Sequence, residues 1–435
     1  GLCYANGEYH LFYQHNPFAD RWGDIHWGHA VSRDLVHWKR LPIAFGPSVE
    51  KGEKHCYSGC CVTEGRNARI FYTSIGENQR GAEFGAEQWS VSSTDGMKTW
   101  HKEVGQPAIG QEVNQGRCIT YWRDPFMWRE KDGSWYAVMS GTLDHTKGCI
   151  CLYRSNDLRN WAFLNVLYQQ SEYPLLECPN LIRMGNRFVL LFSPVAQIHY
   201  HVGTLADDFT FVTESSGIFD GGSGRKGFYA PNTYMNLPNE RRVVLGWLSD
   251  YGRTEQLEIQ GWAGAQALPR DLRLEQGELY QSFAPECGLL RQTPLIKTAA
   301  EKYESRHMCM VVDAAVPNAG GLVVELLANL ERSEFTRLTY EGGNGVLTLD
   351  RAHSSRFAKT DRSAVQQQVA PCEKLHLELY IDGSVIELCA NDQVMLSARV
   401  YPMDEASVYN HVSTTGNAVL LHVQAWEMET VFPYA

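Results

Sequence analysis

Apolar residues in this chain gather in short runs, without the three-to-four spacing of amphipathic helices. Five runs stand out, at 9–14, 69–74, 134–140, 187–193 and 242–249, and they recur at intervals of 53 to 65 residues. They are rich in Val, Ile, Phe and Tyr, the residues that suit a pleated strand. A second repeat interleaves with the first. Ser32-Arg-Asp34-Leu-Val-His-Trp38 is echoed by Ser93-Thr-Asp95-Gly-Met-Lys-Thr-Trp100, by Ser155-Asn-Asp157-Leu-Arg-Asn-Trp161 and, faintly, by Ala206-Asp-Asp208-Phe-Thr-Phe211. In each echo Ser and Asp can bond to nearby backbone and set a turn, while the aromatic packs back. The stretches before these echoes, 26–31, 87–92, 148–154 and 200–205, read as strands too.

Several short strands per unit, repeated over five units, predict an all-β chain whose first part, 1–274, is a five-bladed β-propeller. A β-sandwich with accidental repeats is the alternative. Residues 275–292 read as a linker. Beyond it the texture changes to plain strand–turn alternation, at 308–312, 321–327, 346–349, 375–380, 385–389, 394–400 and 418–424. Asp382-Gly383 marks the turn of the clearest hairpin. The pattern predicts a C-terminal β-sandwich over 293–435, with no concentration of candidate catalytic residues.

Composition narrows the picture. A chain of 435 residues exceeds one ordinary core, which agrees with two domains. Its net charge of −11 argues against nucleic acid and against anionic membrane surfaces, which want basic patches. No apolar run reaches bilayer length. The 12 Cys read as free thiols, because none forms a Cys-x-x-Cys pair and a chain this long needs no staples. No Asn-x-Ser/Thr occurs. Both features favour a cytoplasmic setting without excluding secretion, since the chain starts within a motif and a leader could have preceded it. Oligomeric state is not readable.

The candidate chemistry lies just upstream of the apolar runs. Tyr57-Ser58-Gly59 precedes the second, Trp122-Arg123-Asp124-Pro125 the third, Glu177-Cys178-Pro179 the fourth and Phe228-Tyr229-Ala230-Pro231 the fifth. Equivalent positions on the inner strands of a propeller converge on its channel, so Asp124 and Glu177 are expected around one funnel. Cleaving a glycosidic bond needs such a pair: one carboxylic acid protonates the leaving oxygen, and the opposite face needs a nucleophile or an activated water. Taken singly, an Asp after Arg is by default a structural ion pair. The matching register is what singles the two out.

At these segments the chain resembles glycoside hydrolase family 32, the β-fructofuranosidases of invertase, inulinase and levanase type. Arg123-Asp-Pro125 and Glu177-Cys-Pro179 carry the resemblance. Tyr9-His-Leu-Phe-Tyr-Gln14-His-Asn-Pro17, Trp27-Gly-His29, Tyr229-Ala-Pro231, Gly261-Trp-Ala-Gly264 and Leu268-Pro-Arg270 agree in order and spacing. The stretch from Ser384-Val-Ile-Glu387 through Ser397-Ala-Arg-Val-Tyr-Pro402 is similar to the family's C-terminal sandwich. The resemblance implies a retaining hydrolase that releases β-linked fructose from sucrose or fructans, with no cofactor and no metal. It implies Glu177 as general acid/base and Asp124 as transition-state stabiliser. Arg123, Gln14, Trp22, Tyr57, Ser58, Tyr229 and Trp247 are implied as the fructose pocket. A fructosyltransferase and a non-catalytic fructan-binding relic are the alternatives. An inverting five-bladed pentosidase is a third, opposed by the two tripeptides and the sandwich.

The family's nucleophile is the Asp of Asn-Asp-Pro-Asn-Gly. Gly1-Leu2 matches the end of that motif, so the Asp is expected three residues before Gly1. Asp20 and Asp24 come after the first apolar run and are poor substitutes. Residues 1–435 alone are therefore expected to be inactive or nearly so, with a first strand that is short and poorly anchored. Asn180 stands where the family commonly has Asp, which is expected to alter charge beside the acid/base. Cys60 and Asn232 are further departures. Cys178 is read either as a neighbour that tunes Glu177 or as a small buried hydrophobe. Gly221-Gly-Ser-Gly-Arg-Lys-Gly227 lacks the Gly-Lys-Ser/Thr of a phosphate loop and reads as a flexible connection. His26, His29, His37, His199 and His201 lack the spacing and partners of a zinc site.

Overall fold

The computed structural model describes residues 1–76, 83, 85–103, 107–250, 261–299, 301–357, 360–370 and 372–432. Strands dominate, with short 3₁₀ turns such as Pro285–Leu290 between them. Five antiparallel sheets of four or five strands come first, and two six-stranded sheets follow. This all-β arrangement is consistent with a propeller followed by a sandwich.

Each of the first five sheets starts from an inner strand: Leu2–Ala5, Glu53–Glu64, Ile119–Arg129, Glu177–Met184 and Phe228–Tyr234. The apolar runs form the second strands, for example Arg187–Ser193, buried along nearly its whole length. Burial on both faces explains why these runs are continuous and do not alternate. The Ser-x-Asp repeats make the turn from third to fourth strand. Asp34, Asp95 and Asp157 accept backbone N–H bonds from residues two to four further on. Within these turns Leu35, Met97 and Leu158 take positive φ of 68°, 64° and 59° and bury their side chains. Left-handed backbone is costly for such residues, and burial of the apolar side chain offsets it. The aromatic residue was expected to be the anchor; this apolar residue shares the task.

Hydrogen bonds link each sheet to the next and the last to the first. Trp27 Nε1 donates to the Tyr57 carbonyl (3.1 Å), and the Asp124 N–H donates to Thr73 Oγ1 (2.9 Å). The Cys178 N–H donates to Asp124 Oδ2 (3.0 Å), and Asn180 Nδ2 donates to the Pro231 carbonyl (3.0 Å). The Tyr234 hydroxyl closes the ring by donating to the His10 carbonyl at 3.1 Å. The inner strands thereby surround a common axis.

Two readings of the sequence need correction. Glu278–Phe283, expected in the linker, pairs with Arg270–Glu275 as the outer strand of the fifth sheet. Its polar, alternating side chains hid it among turn residues. The first inner strand, Leu2–Ala5, is short but not poorly anchored. It pairs with Glu8–His15, and Asn236 clasps both the N–H and the carbonyl of Tyr4, at 3.0 and 2.6 Å.

In the C-terminal part the two six-stranded sheets face each other across one core. Met308, Met310 and Val312 meet it from one sheet, Leu322, Val324 and Leu326 from the other. Thr336–Glu341 and Tyr409–Gly416 are strands that the apolar runs did not reveal. The first buries only alternate residues, and the second is mostly polar and buries Asn410 and Val412, so neither forms a continuous apolar run.

Candidate active site

One cavity of about 660 Å³ opens at the axis of the ring. Its wall includes Gln14, Trp22, Tyr57, Ser58, Arg123, Asp124, Glu177, Tyr229 and Trp247, and also Gly1 at the head of the first inner strand. Residues drawn from five sheets are brought together here, as the repeat register anticipated.

The same local device aims most of them inward. The second to fifth inner strands all slip register against their neighbour near the cavity: between Cys56 and Gly59, around Asp124-Pro125, between Glu177 and Asn180, and between Tyr229 and Asn232. Proline lacks the N–H that a ladder needs, so each X-Pro enforces a bulge. The residue before each proline takes left-handed backbone, with φ of 59° at Asp124, 49° at Cys178 and 49° at Ala230. The second strand reaches its bulge through Tyr57-Ser58-Gly59. A Cβ at Gly59 would lie 1.9 Å from the Phe71 carbonyl oxygen, so only glycine fits.

The bulges bring two carboxyl groups together. Asp124 is buried and accepts the Cys178 N–H at 3.0 Å, with the Cys178 thiol 3.7 Å away. Burial pushes its carboxyl up to about 6; nearby Arg123 opposes that and the Glu177 charge adds to it. Glu177 is half-buried. Its Oε1 lies 3.5 Å from Arg123 Nη1, and Arg225 Nη2 approaches both oxygens at 3.3 and 3.4 Å. The Tyr229 hydroxyl is 2.6 Å from Glu177 Oε2 and 3.0 Å from the Ser193 carbonyl. Its single proton can serve only one of them at a time.

On the far wall Gln14 Nε2 donates to Ser58 Oγ at 3.1 Å. Trp22 stands at the rim, 52% exposed, against His55 and Tyr57. Arg123 lies over the Tyr57 ring at 5.7 Å. Amide, hydroxyl, guanidinium and carboxylate groups around aromatic walls suit a small polyhydroxylated ligand.

Two expectations change, and a third residue, Asn180, proves to hold backbone in place. Its amide is buried, donates to the Cys178 and Pro231 carbonyls at 3.1 and 3.0 Å, and accepts from Thr233 Oγ1 at 2.9 Å. It ties two neighbouring bulges together, a task a carboxylate without N–H could not perform. Cys178 bonds to Asp124, not Glu177, and burial holds its thiol strongly protonated. The loop over 221–227 is pinned, not merely connective. Gly221 N–H bonds to the Met395 carbonyl, Gly222 N–H to Asp220, and the loop delivers Arg225 to Glu177. Arg225 was missed because nothing in a Gly-rich segment signals which side chain turns inward.

Comparison with known proteins agrees along the whole chain. The model for the glycosyl hydrolases family 32 N-terminal domain matches residues 1–282, and that for the family 32 C terminal matches 290–427. A sucrose-6-phosphate hydrolase of Zymomonas mobilis is 29% identical over 99% of this chain and 89% of its own length. A raffinose invertase of Escherichia coli is 28% identical over 98% of this chain and 91% of its own. The solved structure of a Bombyx mori GH32 beta-fructofuranosidase superposes with a TM-score of 0.83 at 25% identity, covering 100% of this chain and 91% of that one.

Proposed function

Because the chain belongs to glycosyl hydrolase family 32, we propose that it is a retaining glycosidase that releases β-linked fructose from sucrose or fructans. One observation carries the reading: the equivalent bulges of two neighbouring inner strands bring Asp124, which matches Cys178, and Glu177, which matches Arg123, to one cavity, joined through the Cys178 N–H. The ring of sheets, read as a five-bladed propeller, is the catalytic unit, and the paired six-stranded sheets are its sandwich partner.

In this reading Glu177 protonates the glycosidic oxygen as the bond to the fructosyl anomeric carbon breaks. It then takes a proton from the water that releases fructose. Tyr229 fits both halves of that cycle. It donates to Glu177 when the carboxylate is ionised. When Glu177 carries the proton, Tyr229 can accept from it and turn its own proton to the Ser193 carbonyl. Asp124 binds ring hydroxyls as positive charge develops on the sugar. Arg123, Gln14 and Ser58 supply further polar contacts, and Trp22, Tyr57 and Trp247 supply walls. The nucleophile is assigned to an Asp three residues before Gly1, facing Glu177 across about 5–5.5 Å, as retention requires. Gly1 lines the cavity, which supports that assignment. Residues 1–435 alone are then expected to release almost no fructose.

The test is to place Asn-Asp-Pro-Asn before Gly1 and assay fructose from sucrose, inulin and levan. The extended chain should be active, with an Asp→Ala version of the extension and Glu177→Gln each slower by at least about a thousandfold. An extended, folded chain that releases no fructose from any of them refutes the reading.

The half-exposed guanidinium of Arg225 beside Glu177 favours a second reading, in which the leaving sugar carries a phosphate. The Zymomonas mobilis relative is named for such a substrate. In that case Arg225→Met should abolish a preference for sucrose 6-phosphate over sucrose, measured as the ratio of kcat/KM values.

A further inference from the structure

The bend that aims Asp124 into the cavity is held from the sheet before it. Asp124 lies on the inner strand Ile119–Arg129, the edge of its own sheet. An edge strand leaves part of its backbone N–H and C=O groups without a ladder partner. Two backbone groups that flank Arg123 find theirs in the preceding sheet. The Asp124 N–H donates to Thr73 Oγ1 at 2.9 Å, Thr73 Oγ1 donates to Gln88 Oε1 at 2.8 Å, and Gln88 Nε2 donates to the Trp122 carbonyl at 3.2 Å. The three bonds form a clasp around the Arg123 backbone.

Every role in the clasp is determined. An N–H can only donate, so Thr73 Oγ1 accepts there and sends its one proton to Gln88 Oε1. That sets which end of the Gln88 amide faces Thr73, and leaves Nε2 for a carbonyl that can only accept. Thr73 and Gln88 are fully buried and face each other across the strands Asn67–Gly76 and Glu87–Ser93. The Gln88 backbone is anchored in turn by mutual bonds with Ile109, at 3.2 and 3.1 Å.

The next two sheets fill this place differently. Thr73 precedes the buried Ser74, as Met139 precedes the buried Ser140 and Phe192 the buried Ser193. Met139 pairs across strands with Cys151, and Phe192 with His199. Those pairs fill space with sulfur and aromatic rings. A buried hydroxyl and amide cost free energy unless they are bonded, so the polar pair is explained by what it bonds. It bonds the backbone on both sides of Arg123, beside an Asp124 whose φ of 59° is left-handed. The Asp124 carboxylate is meanwhile tied to the Cys178 N–H at 3.0 Å. One sheet thus fixes Asp124 at its backbone, and the other fixes it at its side chain.

We propose that Thr73 and Gln88 are positioning residues for Arg123 and Asp124. Neither lines the cavity; together they set where those two side chains stand within it. This inference rests on the reading above, in which Asp124 binds the fructosyl ring as positive charge develops. Loosening the clasp should then cost transition-state contacts more than ground-state ones.

The test uses the chain extended by Asn-Asp-Pro-Asn, with fructose release from sucrose as the assay. Thr73→Val keeps the shape and drops both hydroxyl bonds. It should lower kcat by roughly tenfold or more, the scale of a misplaced group, and leave KM within about threefold. Thr73→Ser keeps the hydroxyl and should hold kcat within about twofold of the unsubstituted chain. Gln88→Met spares the Asp124–Thr73 bond and should lower kcat by about threefold to tenfold. Thermal melts establish that each variant is folded. An unsubstituted extended chain that releases no fructose overturns the family reading and this one together. An active chain whose folded Thr73→Val keeps its kcat, loses only KM, or falls no further than Thr73→Ser overturns this inference alone. If Thr73→Val does not fold, Gln88→Met decides in its place. Failure of both to fold would make the pair a requirement of folding and overturn the inference as well.

Discussion

Arg270 and Arg123 are both guanidinium groups taken out of water, and their surroundings differ in kind. Arg270, at the seam between ring and sheet pair, is fully buried. It lies 2.9 Å from Asp220 and 3.1 Å from Glu387, donates to Ser397 Oγ at 2.7 Å, and sits over the Phe228 ring at 4.0 Å. Arg123, in the cavity, reaches its carboxylate only at 3.5 Å and keeps a route to solvent. Burying charge costs several kcal/mol per ion unless close partners repay it. At the seam the contacts are short and set in a fixed frame, though burial still pushes the Glu387 carboxyl upward against the opposing Arg270 charge. In the cavity the contact is longer, and burial pushes the Asp124 carboxyl up to about 6 against the opposing charge of Arg123. The seam spends its ion pairs on holding two parts in register. The cavity leaves its charges available to a ligand.

Breaking the seam should give the largest effect on stability. Arg270→Met leaves Asp220 and Glu387 buried without their cation, so unfolding free energy should fall by about 3–5 kcal/mol. Urea denaturation measures it, and a loss under about 1 kcal/mol would show that the seam is not held by charge.

Asp124→Asn sharpens the other side of the comparison. The Asp124 carboxyl titrates near 6 when folded against 3.8 ordinarily, so folding favours its protonated form. That contribution is whole below about pH 4 and is lost as pH rises through about 6. Asn carries no such proton. Between pH 4 and pH 7 the stability difference should therefore move in favour of the variant by on the order of 2–3 kcal/mol. Denaturant titrations at both pH values check this, and a difference that stays flat with pH contradicts it.

Arg225→Met should be the mildest. Its side chain is 45% exposed, and solvent screens its contact with Glu177. Stability should change by no more than about 0.5 kcal/mol. A thermal melt showing a drop as large as that of Arg270→Met would mean that the cavity pairs as tightly as the seam, and the contrast would dissolve.

Much of this was legible in the chain itself. Continuous apolar runs marked second strands because those strands are buried on both faces. Asp34, Asp95 and Asp157 marked turns because a short carboxylate can bond to its own backbone. Asp124 and Glu177 were singled out because Arg-Asp-Pro and Glu-Cys-Pro stand before successive apolar runs, and the X-Pro bulges of neighbouring sheets bring both to one cavity. Local chemistry sufficed for each, and local chemistry is what a sequence states directly. The folded chain alone decided the rest. Arg225 turns inward because its loop is pinned to distant backbone at Met395. Asn180 links two bulges because two carbonyls, one of them 51 residues onward, take its amide. Asp250 is held by Arg399 and Tyr401, which come from the sheets beyond the seam. These depend on which segments meet across the fold, and no spacing along the chain records that.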